Sequence, residues 1–131
     1  MSKEYWSCIF LALVLSGCAS SGSHTIKPVS PTAVALDDEQ VRSTLIGNKL
    51  NNVGPSGLPY SLSFNADGTE IFKLSGNPPE TEYWAVKDGV ICFTSPKIPK
   101  EYYRLKKDKD DYWLVDPQTG EVHYHYTLTA Q

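Results

Sequence analysis

Two histidines, His123 and His125, form the pair with the plainest chemical potential in this chain. At i and i+2 of a strand they share one face, with side chains about 7 Å apart, and imidazole is a common zinc ligand. A metal would need a third donor, and Glu121 is the nearest residue on that face. Short of that donor the pair reads as two exposed histidines, and no metal is expected. Cys92 is a second candidate, as a nucleophile beside a histidine. It stands in Val90-Ile91-Cys92-Phe93, an apolar run that reads as the setting of a buried, inert thiol. Serine is abundant, but there is no Gly-x-Ser-x-Gly elbow and no phosphate-binding glycine loop. The expectation is therefore a protein that is not an enzyme, with no catalytic residue and no cofactor.

Charge gives a different kind of candidate. Residues 97–109 hold six basic side chains and two acidic ones, whereas the whole chain carries a net charge of -3. That balance offers no global reason to bind nucleic acid. The basic stretch is interleaved with Tyr102 and Tyr103. Tyr102, Arg104, Lys106 and Lys107 are thus the expected partner-binding residues, suited to an acidic protein, a polyanionic envelope polymer or anionic headgroups. The competing reading is a solvated hairpin whose lysines protect an edge strand from further pairing.

The N-terminus carries an address. Lys3 precedes a seven-residue apolar run, Ile9 to Leu15, too short for the roughly 20 residues that span a bilayer but suited to a signal-peptide core. The run ends in Leu15-Ser16-Gly17-Cys18, which resembles the lipobox of bacterial lipoproteins. The resemblance implies a signal peptide over residues 1–17, cleavage before Cys18, and acylation of the Cys18 thiol and new amine. Ala19 follows the cysteine, which by the same resemblance directs the protein to the outer membrane, facing the periplasm. Cys8 leaves with the signal peptide and Cys18 is consumed by lipid, so Cys92 has no intramolecular disulfide partner. Residues 18–36 are rich in Ser, Gly and Pro and read as the lipidated cysteine and a flexible tether, with His24 in solvent.

The remaining residues, 37–131, form one domain of ordinary globular composition. Asp37 with Gln40 makes a capping box, Leu36 and Val41 occupy the staple positions, and Gly47-Asn48 stops the helix. The spacing predicts a short helix over about 38–46 that packs on or plugs a sheet. From residue 48 onward, short alternating runs are separated by Asn65-Ala66-Asp67-Gly68, Lys87-Asp88-Gly89, a charged tip at 107–111 and Asp116-Pro117-Gln118-Thr119-Gly120. Eight strands are expected, near 49–53, 60–65, 69–74, 82–86, 90–94, 102–107, 112–116 and 121–127. The fold class is all-β: an antiparallel meander of about eight strands closing into a small barrel or a strongly curled sheet, with one short N-terminal helix. Trp84 with Val86, Tyr103 with Leu105, Trp113 with Val115, and Val122, Tyr124, Tyr126 and Leu128 are expected to face inward.

The order Leu45-Ile46-Gly47-Asn48, Tyr60-Ser61-Leu62-Ser63-Phe64, Asp67-Gly68-Thr69, Tyr83-Trp84-Ala85-Val86, Asp88-Gly89 and Ile91-Cys92 resembles small exported proteobacterial domains of calycin-like fold and unknown function. Those domains carry a second cysteine where this chain has Tyr102, so their disulfide is not expected here. Two functions follow as expectations. One is a lipid-anchored binding or structural module, inhibitor-like or immunity-like, that docks an envelope partner. The other is a lipocalin-like carrier of a small apolar ligand, which an open apolar cavity of about 300 Å³ or more would favour.

Overall fold

The computed structural model describes residues 25–131. The expected signal peptide, Cys18 and His24 lie outside the described residues, as does the first part of the expected tether.

The capping box forms as expected. Asp37 accepts from the Gln40 amide at 2.8 Å, and the Gln40 side chain accepts from the Asp37 amide at 3.0 Å. These two bonds satisfy amides that the first helical turn leaves without partners. Helix α1 spans Asp38–Leu45, and its Val41 and Leu45 are fully buried. The strands of the meander are β2 (Asn48–Val53), β3 (Pro59–Phe64), β4 (Thr69–Leu74) and β5 (Glu80–Lys87). They continue as β6 (Val90–Thr94), β7 (Glu101–Asp108), β8 (Asp111–Val115) and β9 (Val122–Ala130). Each pairs antiparallel with the next, and β9 returns to pair with β2. The result is a closed up-and-down barrel of eight strands. Closure removes the exposed edges that an open sheet of this length would present.

The helix plugs one end. Its apolar face joins Leu36, Phe64, Val86, Ile91 and Leu105 in the core. Asp38 accepts from the Asp88 and Gly89 amides at the tip of the β5–β6 hairpin, and Arg42 donates to the Val86 carbonyl at 3.2 Å. That hairpin turn has positive φ at both Asp88 (55°) and Gly89 (77°), the geometry that suits a two-residue turn to the twist of its strands. A Cβ at Gly89 would lie 2.7 Å from the Arg104 guanidinium, the movable end of a long side chain, so it is the positive φ that holds glycine there.

Residues 25–36 depart from the flexible tether expected of them. Val34–Ala35 forms a two-residue strand, β1, paired with Lys107 and Lys106 of β7. β6 covers the same edge of β7 only as far as Arg104, where it meets Val90. β1 takes over beyond that point and satisfies backbone groups that the end of β6 leaves free. Upstream, the Trp113 indole donates to the Lys27 carbonyl at 3.0 Å, Lys27 reaches Asp111 at 2.8 Å, and Thr32 donates to Asp108 at 2.7 Å. The segment is a strap bound to the barrel wall.

The strap explains a second departure. Trp113 and Val115 stand opposite Lys106 and Arg104 in the β7 register, on the outer face, while Tyr112 and Leu114 belong to the core. All four are buried. Burial of both faces abolishes the alternation that sequence reading relies on, and so Trp113 was expected on the wrong side. Of the other inward expectations, Trp84, Val86, Tyr103, Leu105 and Tyr126 are buried in the core, Tyr124 and Leu128 are half-buried against it, and Val122 is half-buried outside that cluster.

Candidate functional site

The end of the barrel opposite the helix opens into a cavity of about 460 Å³. It lies within the span of about 300–1,000 Å³ typical of small-molecule sites. Alternation puts its walls in place. In β4, Glu70, Phe72 and Leu74 stand opposite the inward Phe64, Leu62 and Tyr60 of β3. Glu82 and Glu80 of β5 stand opposite Glu70 and Phe72, two and four positions before the buried Trp84. Phe93 stands opposite Glu101 of β7.

The walls are aromatic. Tyr60 tilts against Phe72 with centroids 5.7 Å apart and meets Tyr126 edge-on at 6.0 Å. Tyr124 lies 5.9 Å from Tyr126 and 5.8 Å from Tyr103, which in turn lies 6.1 Å from Phe93. One phenol pair is hydrogen-bonded, Tyr60 to Tyr126 at 3.2 Å, with the Asn52 amide donating to Tyr60 at 3.3 Å.

Within this aromatic cup sits one buried carboxyl that no donor or cation of the chain answers. Glu70 lines the cavity, is 0% exposed, and neither of its side-chain oxygens accepts a hydrogen bond. Burial, then the charge of Glu82 facing it and a hydrogen bond shared with the Glu82 side chain, push its pKa up to about 9. Glu70 is accordingly held protonated and neutral at pH 7. The other acids lining the cavity are Glu80, Glu82 and Glu101, against a single Lys97. Lys97 is committed to Glu80 at 3.2 Å. Burial, Tyr124 and Glu101 raise the pKa of the Tyr103 phenol, and burial chiefly raises that of Tyr126. All these shifts oppose negative charge in the cup.

The residues singled out by sequence lie elsewhere. Tyr102 is 51% exposed on the outer face, opposite Cys92. Arg104 and Lys106 share that face by alternation, but Arg104 donates to the Asp88 carbonyl at 3.3 Å and Lys106 stands between Ala35 and Trp113. Lys107 belongs to the other face, over the ring of the core residue Tyr112 at 5.8 Å. The four therefore do not form one patch, and β7 is no edge strand. Cys92 alternates with the buried Ile91 and Phe93 and is half-buried on the outer wall, which corrects its reading as a core thiol. His125 bonds Asp111 at 2.7 Å and tilts over Trp113, with centroids 5.5 Å apart. His123 approaches Glu121 at 4.0 Å. Among the described residues no group of three or more His, Cys, Asp or Glu is placed to hold a metal.

Glu70 and Glu82 escaped sequence reading for different reasons. Counting back by two from Trp84 would have turned Glu82 inward. Thr69–Leu74 offers Ile71 to one face and Phe72 and Leu74 to the other, so its apolar pattern does not assign Glu70 to a side. No protein-family model, curated protein or solved structure matches the chain, and the reading of the site rests on its own geometry.

Proposed function

We propose that the protein is a lipid-anchored carrier or sensor that binds a small organic molecule inside its barrel, and that it is a binding module, not an enzyme. The observation that carries this reading is the cavity of about 460 Å³ with its aromatic walls and open end. Barrels of eight strands are wide enough either to fill with side chains or to hold one small ligand. The rings line this cup and leave its middle open. The docking reading is weaker, because Arg104 is engaged with the β5–β6 turn and Lys107 with Tyr112. Leu15-Ser16-Gly17-Cys18 followed by Ala19 supports lipidation at Cys18 and residence at the outer membrane, facing the periplasm.

A panel of small aromatic alcohols and hydrocarbons, titrated into the full-length chain with tyrosine and tryptophan emission as readout, tests the binding reading. Saturable binding is expected, and it should disappear when the cup is filled by Leu62→Trp. If no member of the panel binds below millimolar concentration, and Leu62→Trp is as stable as wild type with no ligand effect to lose, the carrier reading fails. Palmitate-analogue labelling of wild type against Cys18→Ala tests the anchor, and equal labelling would remove it.

A further inference from the structure

The cup is apolar in its walls but acidic at its edges, and it contains one buried carboxyl, Glu70, that meets another acid, Glu82, and no cation of the chain. A buried carboxyl without a cation or donor to answer it destabilises a fold, and here both Glu70 oxygens lack a donor while the side chain lines an open cavity. Its neighbours do not neutralise it. Glu82 faces it from β5, and Tyr60 from β3 and Tyr126 and Tyr124 from β9 bring only phenols. Phe93 of β6 is apolar, and β7 adds Tyr103 and a further acid, Glu101. The lining cation, Lys97, is 73% exposed and bridged to Glu80. What the site lacks is a positive charge carried on something small enough to enter.

We propose that the ligand of the cup is an organic ammonium ion, a primary or secondary amine on an aromatic or apolar body, with Glu70 as its buried counter-ion and Glu82 and Glu101 steering it inward. This inference rests on the carrier reading and names its ligand class. Three features converge on it. The buried carboxyl, which no cation of the chain answers, supplies the ion pair. Aromatic faces attract cations, most strongly when the pair is desolvated. The excess of carboxylates around the cavity favours entry of cations over anions. An inorganic cation fits less well, since it would need several oxygen ligands at once where the walls offer mainly rings.

The proton balance follows from the state of Glu70. In the free barrel near pH 7 its carboxyl is protonated. The amine arrives already charged. Beside the ammonium the carboxyl gives its proton to solvent, and the complex holds a carboxylate–ammonium pair. Binding of one amine thus releases one proton, and affinity should rise about tenfold per pH unit between pH 6 and 8. A neutral ligand of the same shape releases none.

The test compares 2-phenylethylamine and tryptamine with 2-phenylethanol and tryptophol, titrated calorimetrically into the full-length chain in two buffers of different ionisation enthalpy. Amines should bind at least tenfold more tightly than the matching alcohols at pH 8 and release close to one proton at pH 7. Glu70→Gln should bring the amines down to the affinity of the alcohols and leave the alcohols within about twofold of wild type. Equal affinity for amine and alcohol, or no proton release by wild type, would overturn the amine assignment while leaving the carrier reading intact. If neither amines nor alcohols bind, the carrier reading itself is wrong. The proton-release measurement uses wild type alone, so the assignment stands or falls even if the variant does not fold.

Discussion

The outer wall beneath the strap and the inner wall of the cup are built from the same kinds of residue to opposite ends. Under the strap, polar groups are answered by opposite partners. The Trp113 indole has the Lys27 carbonyl, and the half-buried Asp111 has both Lys27 and His125. In the cup, Glu70 is as deeply buried as Trp113 and meets only another acid, Glu82. A region whose donors and acceptors are matched within the chain is complete and contributes stability. A region that holds a mismatch gives up stability and keeps a preference for whatever would complete it. The contrast gives the outer patch a structural part and is the ground on which ligand binding is proposed for the inner one.

The sharpest way to break that contrast is to remove Trp113. The side chain is 0% exposed and joins the strap to β8, so Trp113→Ala should cost about 3–5 kcal/mol. Urea unfolding would measure the loss. Limited proteolysis should then cut within residues 25–35, which wild type protects. A loss below 1 kcal/mol, with the strap still protected, would mean that the strap is held by its polar contacts instead.

Glu70→Gln should act in the opposite direction. The carboxyl is raised in the folded state from an ordinary value of 4.5 to about 9. An acid raised in this way takes up a proton on folding at pH values between the two. Stability of the free protein therefore falls as pH rises through that window and is flat outside it. At about 1.4 kcal/mol per unit, the cost is about 3 kcal/mol at pH 7. Glu70→Gln removes the titration and should stabilise by about that amount at pH 7, with little gain at pH 5. Unfolding midpoints at the two pH values check it. A variant less stable than wild type at pH 7 would show that the carboxyl is satisfied after all.

Smaller effects probe the polar end of the strap. Hydrogen bonds from Lys27 and then His125 hold the Asp111 carboxyl below its usual range, and bonds from Ser30 and Thr32 do the same for Asp108. Groups lowered on folding contribute above their unfolded pKa and lose that contribution as pH falls through the folded one. The strap should therefore loosen below about pH 4. Lys27→Ala should reproduce part of that loosening at neutral pH, seen as faster amide exchange at Val34 and Ala35. Its effect on stability should be well below that of Trp113→Ala, because Lys27 is half exposed and solvent screens the pair. Cys92, on the outer wall away from both regions, supplies the smallest change. Cys92→Ser should shift stability by no more than about 0.5 kcal/mol. The native thiol should react with a small reagent without prior unfolding, and protection of the thiol until the barrel melts would return Cys92 to the core.

Much of the barrel was legible because hairpin formation is local. Asp88-Gly89, Asn65 to Gly68 and Asp116 to Gly120 fix turns by backbone preference alone, and the strands of Thr69–Leu74 and Val90–Thr94 fall where the turns leave them. The capping box is likewise a contact between residues three apart. The sequence by itself therefore determined the eight strands of the barrel, their antiparallel order and the short helix. Tertiary structure decided what depends on residues far apart in the chain. β9 closes on β2, and Lys27 reaches across 86 residues to receive the Trp113 indole. Trp113 looked like core because apolar pattern records burial and not which body does the burying. Glu70 drew no notice in the sequence, because a charged residue is usually at the surface. Only barrel closure, which carries β4 round to face β9 across the interior, encloses that carboxyl among rings with no cation to answer it.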